Sequence, residues 1–298
     1  MTEIGRYITV HAGGLDFEVL EAGVGDRLAL CLHGFPENAY SWRNQIPLLV
    51  SLGYRVWAPN QRGYGRSSKP PKIPDYDVSH LMEDVTALID ASGAKSVTLL
   101  AHDWGGAVAW CYAMRPARPI ERLAILNVPH PALFARALRG WKQKARSWYM
   151  GFFQIPKLPE FLLGRNHAFA IGEIFRKSAT DKTRFTPDVL AVYRDSASLP
   201  GALTGMLNWY RAAPTGLRAQ MRLGMPMIEI PTIVIWGEAD SALGKETTYG
   251  LDRYVKNLSL HYLPGVSHWV QQDAPEQVNE LLEPFLRVPE AVSEEMAR

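Results

Sequence analysis

The sequence predicts an α/β fold in which helices flank a mostly parallel sheet and one helical segment interrupts the core. Up to residue 130, short apolar runs alternate with longer stretches whose apolar residues recur at helical spacing. This alternation implies parallel strands that are joined by right-handed crossovers. No strand pattern appears in residues 131–225, and the alternation resumes near Pro231. The prediction is therefore a first core part at residues 1–130, a helical cap at 131–225 and a second core part at 226–298.

The first core part begins with a predicted hairpin and continues with short buried strands. The turn Ala12-Gly13-Gly14 separates the hairpin strands, Arg6–His11 and Leu15–Glu21. The buried strands are predicted at Leu28–Leu32, Tyr54–Ala58, Ser96–Ala101 and Arg122–Leu126. Between them, helical spacing predicts helices at Trp42–Ser51, Val78–Ser92 and Gly105–Arg115.

The cap and the second core part complete the predicted order of elements. The cap is rich in aromatic residues, Leu and Ala with scattered Pro, which predicts several helices and an apolar pocket. Candidates for its lining are Trp141, Phe152, Phe153, Leu203 and Met206. The second core part adds strands at Thr232–Trp236 and Leu258–Leu263 and a closing helix from about Pro275 to Arg287. The polar residues from Val288 onward are expected to be frayed.

Composition and charge argue against several classes of protein. The chain has 32 Lys and Arg against 30 Asp and Glu, so nothing indicates nucleic acid as a partner. Cys31 and Cys111 lie in apolar contexts without metal-ligand spacing, which predicts buried free thiols and no metal site. The N-terminus lacks a signal-peptide pattern, and no apolar stretch approaches the ~18 residues of a membrane helix. We therefore expect a cytoplasmic protein without a membrane partner.

A strand, a sharp turn and a helix surround Asp103. This context is typical of a nucleophile elbow, which needs small residues two positions on either side of the nucleophile, and Ala101 and Gly105 meet that need. A carboxylate attacks an sp³ carbon and becomes an alkyl ester, whereas Ser attacks a carbonyl. Asp103 therefore disfavours esterase and lipase activity. The alternative is an inert Asp103 that only caps the helix.

Three other segments lie where they would complete such a site. The turn HGFPE, from His33 to Glu37, follows a buried strand, so the backbone N–H groups of Phe35 and Trp104 are predicted to form an oxyanion hole. A plain turn is the alternative. Asp240 and His268 follow the two strands of the second core part, and the chain order nucleophile, acid, base is the one expected for this arrangement.

These motifs resemble those of soluble epoxide hydrolases with the α/β-hydrolase fold. The similar segments are HGFPENAYSWRNQIPLL, QRGYGRSSKP, HDWGGAVAW and GVSHWVQQDAPEQVN, which cover nearly all of the core. The resemblance implies Asp103 as nucleophile and His268 with Asp240 as the pair that activates water. It also implies a cis Phe35–Pro36 peptide. No metal or organic cofactor is expected, and the expected partners are a small apolar epoxide and water; a homodimer is compatible with the sequence.

Two cap segments resemble the family's tyrosine-bearing motifs. These motifs distinguish epoxide hydrolases from dehalogenases, which share the core motifs. The segments are Tyr149-Met-Gly-Phe-Phe-Gln154 and Leu207-Asn208-Trp209-Tyr210-Arg211. The resemblance assigns the two oxirane-binding proton donors to Tyr149 and Tyr210, with core packing as the alternative role. Haloalkane or haloacid dehalogenases are an alternative class, although Phe35 stands where a halide-binding Asn is often found. A non-catalytic receptor of the same fold is a third hypothesis, against which the complete triad argues.

Several polar residues near the expected site have competing interpretations. Glu238 is a rival acid two residues before Asp240. Asn127 follows an earlier strand, at a place where some relatives carry the acid, but an amide cannot ionise. His33 and His102 are expected to have structural roles beside the site.

Overall fold

The computed structural model describes residues 4–287 and contains an eight-stranded sheet. Its strands are β1 (Arg6–Ala12), β2 (Leu15–Ala22), β3 (Arg27–Leu32), β4 (Arg55–Pro59), β5 (Ser96–His102), β6 (Arg122–Leu126), β7 (Thr232–Gly237) and β8 (Leu258–Leu263). The order across the sheet is β1-β2-β4-β3-β5-β6-β7-β8, and only β2 runs antiparallel to its neighbours. The predicted fold class and the predicted strands are confirmed.

Helices cover both faces of the sheet. The core helices are α1 (Ile46–Ser51), α2 (Val78–Ser92), α3 (Asp103–Met114), α10 (Val270–Asp273) and α11 (Pro275–Leu286). The helices between β6 and β7 are α4 (Pro131–Ala137), α5 (Trp141–Arg146), α6 (Trp148–Phe152), α7 (Leu158–Ser178), α8 (Pro187–Ser198) and α9 (Ala202–Arg222). Short 3₁₀ helices lie at Ala39–Trp42, Ile73–Tyr76, Lys182–Arg184, Lys245–Thr248 and Leu251–Arg253.

The prediction of one helix over Trp42–Ser51 is wrong. A 3₁₀ helix ends at Trp42, and α1 begins only at Ile46. Pro47 lies in the first turn of α1, where its missing N–H costs nothing, but a helix continued from Trp42 would set its ring against the carbonyl of Arg43. The helix predicted from Gly105 begins two residues earlier, at Asp103. The tail predicted to fray from Val288 lies outside the described residues.

The chain between β6 and β7 packs over the end of the sheet from which α3 departs. Trp209 of α9 donates its indole N–H to the carbonyl of Arg62 at 2.9 Å, which ties α9 to the core. Arg211 pairs with Glu160 at 2.6 Å and so joins α9 to α7. The limits of the cap, residues 131–225, remain a prediction.

The helix α3 is apolar on all sides because it packs against the sheet, α2 and α4. Its residues from Val108 to Met114 are all buried, as expected of a helix with no solvent-facing side. Cys111 in α3 and Cys31 in β3 are buried free thiols, as predicted. Within residues 4–287, no helix is both long enough and apolar enough to cross a membrane.

Candidate active site

Asp103 lies at the turn between β5 and α3, with a backbone φ of 45°. Few residues other than glycine adopt this left-handed conformation, and its strain is typical of functional turns. The turn closes against β3, where the N–H of Gly105 donates to the carbonyl of His33 at 3.0 Å. A Cβ atom at position 105 would collide with the carbonyl oxygens of Leu32 and His33, so the close approach requires glycine.

The structure brings together the three residues that the sequence proposed as nucleophile, acid and base. His268 Nδ1 lies 2.6 Å from Asp240 Oδ2, and His268 Nε2 lies 3.6 Å from Asp103 Oδ2. The three side chains follow the carboxyl ends of β5, β7 and β8. Because parallel strands end at one edge of a sheet, residues far apart in the sequence meet there.

The Asp240 carboxylate is held by three donors besides His268. Its Oδ1 accepts from the backbone N–H groups of Ala242 at 2.7 Å and Leu243 at 2.9 Å. Its Oδ2 accepts from the Asn127 side-chain amide at 2.9 Å. The sequence suggested Asn127 only as a residue at a place where some relatives carry the acid. In the structure Asn127 instead donates a hydrogen bond to the acid, Asp240. The rival acid Glu238 pairs with Lys245 Nζ at 2.5 Å.

The HGFP turn packs directly against Asp103. The N–H of Phe35 donates to Asp103 Oδ1 at 2.7 Å. The Phe35–Pro36 peptide is cis, as predicted. The Phe35 N–H therefore already points at the carboxylate, while an oxyanion hole that also includes the N–H of Trp104 remains a prediction.

Tyr149 and Tyr210 line the same cavity as Asp103. Their ring centroids are 6.0 Å apart, and the Tyr210 ring stands perpendicular to Trp104 with centroids 5.0 Å apart. Burial raises the pKa of both phenols, and the negative charge of Asp103 raises it further. Both hydroxyls therefore keep their protons at neutral pH.

The cavity has a volume of about 480 Å³ and is mainly apolar. Apart from Asp103 and the two tyrosines, its lining includes Leu81, Val128, Phe134, Leu138, Met150 and Leu217. The predicted apolar character is confirmed. None of the five pocket candidates from the cap lines the cavity, because tertiary packing turns some of them to solvent and others into the core. Trp141 is exposed, for example, whereas Phe153 packs on Tyr210 with centroids 4.9 Å apart.

Asp103 and His268 form a buried, oppositely charged pair. Burial opposes the charged form of each group, but their mutual attraction outweighs it for Asp103, whose pKa is lowered. The carboxylates of Asp240 and Asp103 likewise raise the pKa of His268 well above its usual range. The two shifts together favour an ionised Asp103 and a protonated His268.

A second buried hydrogen-bond network connects Glu37 and His102 to the backbone of His268. Glu37 Oε2 is 2.7 Å from His102 Nδ1, and His102 Nε2 is 2.8 Å from the carbonyl of His268. Glu37 Oε1 accepts from the side-chain amides of Gln271 at 2.8 Å and Gln272 at 2.7 Å. Burial opposes ionisation of Glu37, but its attraction to and hydrogen bond with His102, together with the hydrogen bond from the Gly34 N–H, outweigh it and lower its pKa. His102 thus has the structural position that the sequence predicted, and Glu37 is its unforeseen partner.

Replacing Glu37 with Ala is expected to lower the free energy of unfolding by about 3–5 kcal/mol, because the change leaves buried donors and His102 without their acceptor. Chemical denaturation measures this loss. The control is Glu83→Ala, which removes the exposed partner of His80 and is expected to cost about 0–1 kcal/mol. Equal stability losses in the two variants would contradict the role of the Glu37 network.

Comparison with known proteins places this site in a family. A family model described as alpha/beta hydrolase fold matches residues 30–275. The chain is 38% identical to Epoxide hydrolase 4 of Mus musculus over 288 residues, which cover 94% of this chain and 79% of that relative. It is 36% identical to the AB hydrolase superfamily protein YfhM of Bacillus subtilis over 281 residues, which cover 93% and 96% of the two chains.

Solved structures of epoxide hydrolases are also similar to this chain. The crystal structure of Bacillus megaterium epoxide hydrolase in complex with an inhibitor superposes with a TM-score of 0.86 at 31% identity, covering 95% of this chain and all of that one. Epoxide Hydrolase A from Mycobacterium thermoresistibile superposes with a TM-score of 0.83 at 32% identity, covering 95% and 98%. The chain belongs to the α/β-hydrolase fold family and, within it, to the epoxide hydrolases, which are enzymes.

Proposed function

We propose that this enzyme hydrolyses apolar epoxides to vicinal diols through an alkyl ester on Asp103. The observation that carries the proposal is one apolar cavity that is lined by a carboxylate at a nucleophile elbow and by two protonated phenols. An epoxide needs both groups, because its leaving group is an alkoxide that departs poorly unless it is hydrogen-bonded or protonated as it forms.

In the first step, Tyr149 and Tyr210 donate hydrogen bonds to the oxirane oxygen while Asp103 attacks a ring carbon. The carbon–oxygen bond of the ring breaks, and the oxygen takes a proton from a phenol. The product is an ester between Asp103 and the opened substrate. The lowered pKa of Asp103 keeps the nucleophile ionised.

In the second step, His268 takes a proton from water while Asp240 holds the imidazole in place at 2.6 Å. The hydroxide attacks the carboxyl carbon of Asp103. The N–H groups of Phe35 and Trp104 stabilise the oxyanion that forms there. The acyl bond then breaks, and the departing alkoxide takes the proton that His268 removed from water. The second proton of that water restores the phenol, so the diol leaves as Asp103, His268 and the tyrosine are regenerated.

Turnover on a small panel of aryl and alkyl epoxides tests the proposed activity. We expect diol formation by the wild type and none by Asp103→Asn, because the amide is not a nucleophile. A matched haloalkane panel tests the dehalogenase alternative through halide release. Binding of epoxides without diol would instead support the receptor hypothesis and contradict the proposal.

Ester hydrolysis is expected to accelerate as pH rises, whereas alkylation is expected to persist at low pH. Hydrolysis needs neutral His268, whose pKa is raised, while alkylation needs ionised Asp103, whose pKa is lowered. Ester formation removes the charge of Asp103, so His268 should lose its proton at lower pH in the alkyl-enzyme than in the free enzyme. Single-turnover kinetics on both sides of neutrality measure the two steps. A hydrolysis rate independent of pH would contradict His268 as the base.

A further inference from the structure

One strip of the cap surface combines exposed aromatic and basic side chains. We define the cap strip as the exposed residues between Arg139 and Arg165. Its most exposed large apolar residues are Trp141 (76%), Trp148 (68%) and Phe161 (63%), and Ile155, Leu158 and Leu162 add to them. Trp141 begins α5 and Trp148 begins α6, two short helices that a single residue, Ser147, separates.

The cap strip is also strongly basic. Its positive residues are Arg139, Lys142, Lys144, Arg146, Lys157 and Arg165. The single acid between Arg139 and Arg165 is Glu160, which is half-buried and paired with Arg211 at 2.6 Å. Arg146 pairs with Glu246 at 3.3 Å, whereas within residues 4–287 none of the three lysines forms a salt bridge. The whole chain has a formal net charge of only +2, so the strip is a local concentration of positive charge.

Two exposed residues of the cap strip also belong to the lining of the cavity. Gly151 and Gln154 both line the cavity and are exposed. In the sequence they lie between the exposed residues Trp148 and Ile155. The cap strip therefore borders one side of the cavity, while Pro214 of α9 is an exposed lining residue outside the strip.

We propose that the cap strip docks on the anionic surface of a lipid bilayer. Trp and Phe side chains favour the depth of the headgroups, and unpaired lysines attract anionic lipids, so the strip has the two features of an interfacial contact. A second copy of the chain fits less well, because two basic strips facing each other would repel. The expectation of no membrane partner depended on the absence of a long apolar stretch in the sequence, which concerns spanning and does not bear on a surface contact.

The docked orientation would bring the side of the cavity at Gly151 and Gln154 to the bilayer, where apolar epoxides concentrate. This consequence rests on the proposed function, whereas the docking itself depends only on the cap strip. The two claims therefore have separate readouts. One is vesicle binding, and the other is diol formation from a water-soluble epoxide in buffer without vesicles.

Sedimentation of the full chain with vesicles tests the docking. We expect the wild type to sediment with vesicles of phosphatidylcholine and phosphatidylserine, but not with phosphatidylcholine alone. Salt at about 1 M should release it, because screening then acts within ~3 Å. The variant Lys142→Gln/Lys144→Gln/Lys157→Gln should lose about fivefold in partition for each lysine, and Trp141→Ser/Phe161→Ser should also bind more weakly.

The matched control is Val24→Ser/Lys95→Gln, which changes one exposed apolar residue and one exposed lysine before β3 and β5, at the opposite edge of the sheet from Asp103. It should bind anionic vesicles as the wild type does. Absence of wild-type sedimentation with anionic vesicles, or an equal loss in control and strip variants, would overturn the proposal. So would light scattering that shows a wild-type dimer and a monomeric Trp141→Ser/Phe161→Ser variant, because the strip would then be a dimer interface.

Discussion

Changing both Tyr149 and Tyr210 to Phe is expected to nearly abolish alkylation of Asp103. Each single change should lower the alkylation rate by about 10²–10³, because one remaining phenol still stabilises the departing oxygen. Ester hydrolysis should suffer less, since its oxyanion is stabilised by backbone N–H groups. Pre-steady-state kinetics on one epoxide separate the two steps and so test the assignment of the tyrosines.

The design of this experiment isolates the hydroxyl groups from the packing of the rings. Phe keeps the ring contacts of Tyr210 with Trp104 and Phe35, whose centroids lie 5.0 Å and 5.1 Å away. The matched control is Tyr64→Phe, which removes a buried hydroxyl that has no hydrogen-bond partner within residues 4–287. The control should alkylate at the wild-type rate. A double variant that also does so would show that the tyrosines are packing residues.

Changing His268 to Gln is expected to trap the enzyme as its alkyl ester. Alkylation requires only Asp103 and the phenols, whereas hydrolysis loses a general base, which typically contributes about 10²–10⁴ in rate. Intact-protein mass spectrometry with substrate should show one adduct per chain. Peptide mapping should place that adduct on Asp103.

The control for this experiment is the double variant Asp103→Asn/His268→Gln, which should show no adduct under the same conditions. An adduct on the double variant would mean that another side chain is alkylated. If His268→Gln stays unmodified while the wild type turns over, His268 is needed before the ester forms, and the two-step scheme is contradicted.

The position of the nucleophile could be predicted from the sequence because its constraints are local. Gly105 must be small where β3 and α3 meet, and this requirement acts within two residues of Asp103. Asp240 and His268 could be predicted because chain order and strand ends determine which loops meet in a parallel sheet. The sequence around each of these three residues was therefore sufficient to predict its place in the site.

Other parts of the site depend on contacts that no local pattern contains. Glu37 reaches His102 across 65 positions, and Asn127 reaches Asp240 across 113. The pocket candidates in the cap had the right chemistry, but whether Trp141 faces the cavity or solvent depends on how short helices pack. The helix predicted over Trp42–Ser51 is the opposite case, because the local signal was present. Pro47 is typical of the first turn of a helix, but the spacing of apolar residues from Trp42 onward predicted one continuous helix.

A single turnover in water labelled with ¹⁸O tests the ester on Asp103 most directly. With enzyme in excess over epoxide, water attacks the carboxyl carbon, so the first diol takes its new oxygen from Asp103 and the label enters the carboxylate. We expect unlabelled diol and one ¹⁸O atom in the peptide that contains Asp103. Labelled diol with an unlabelled peptide would mean that water attacks the epoxide directly and would contradict the ester intermediate.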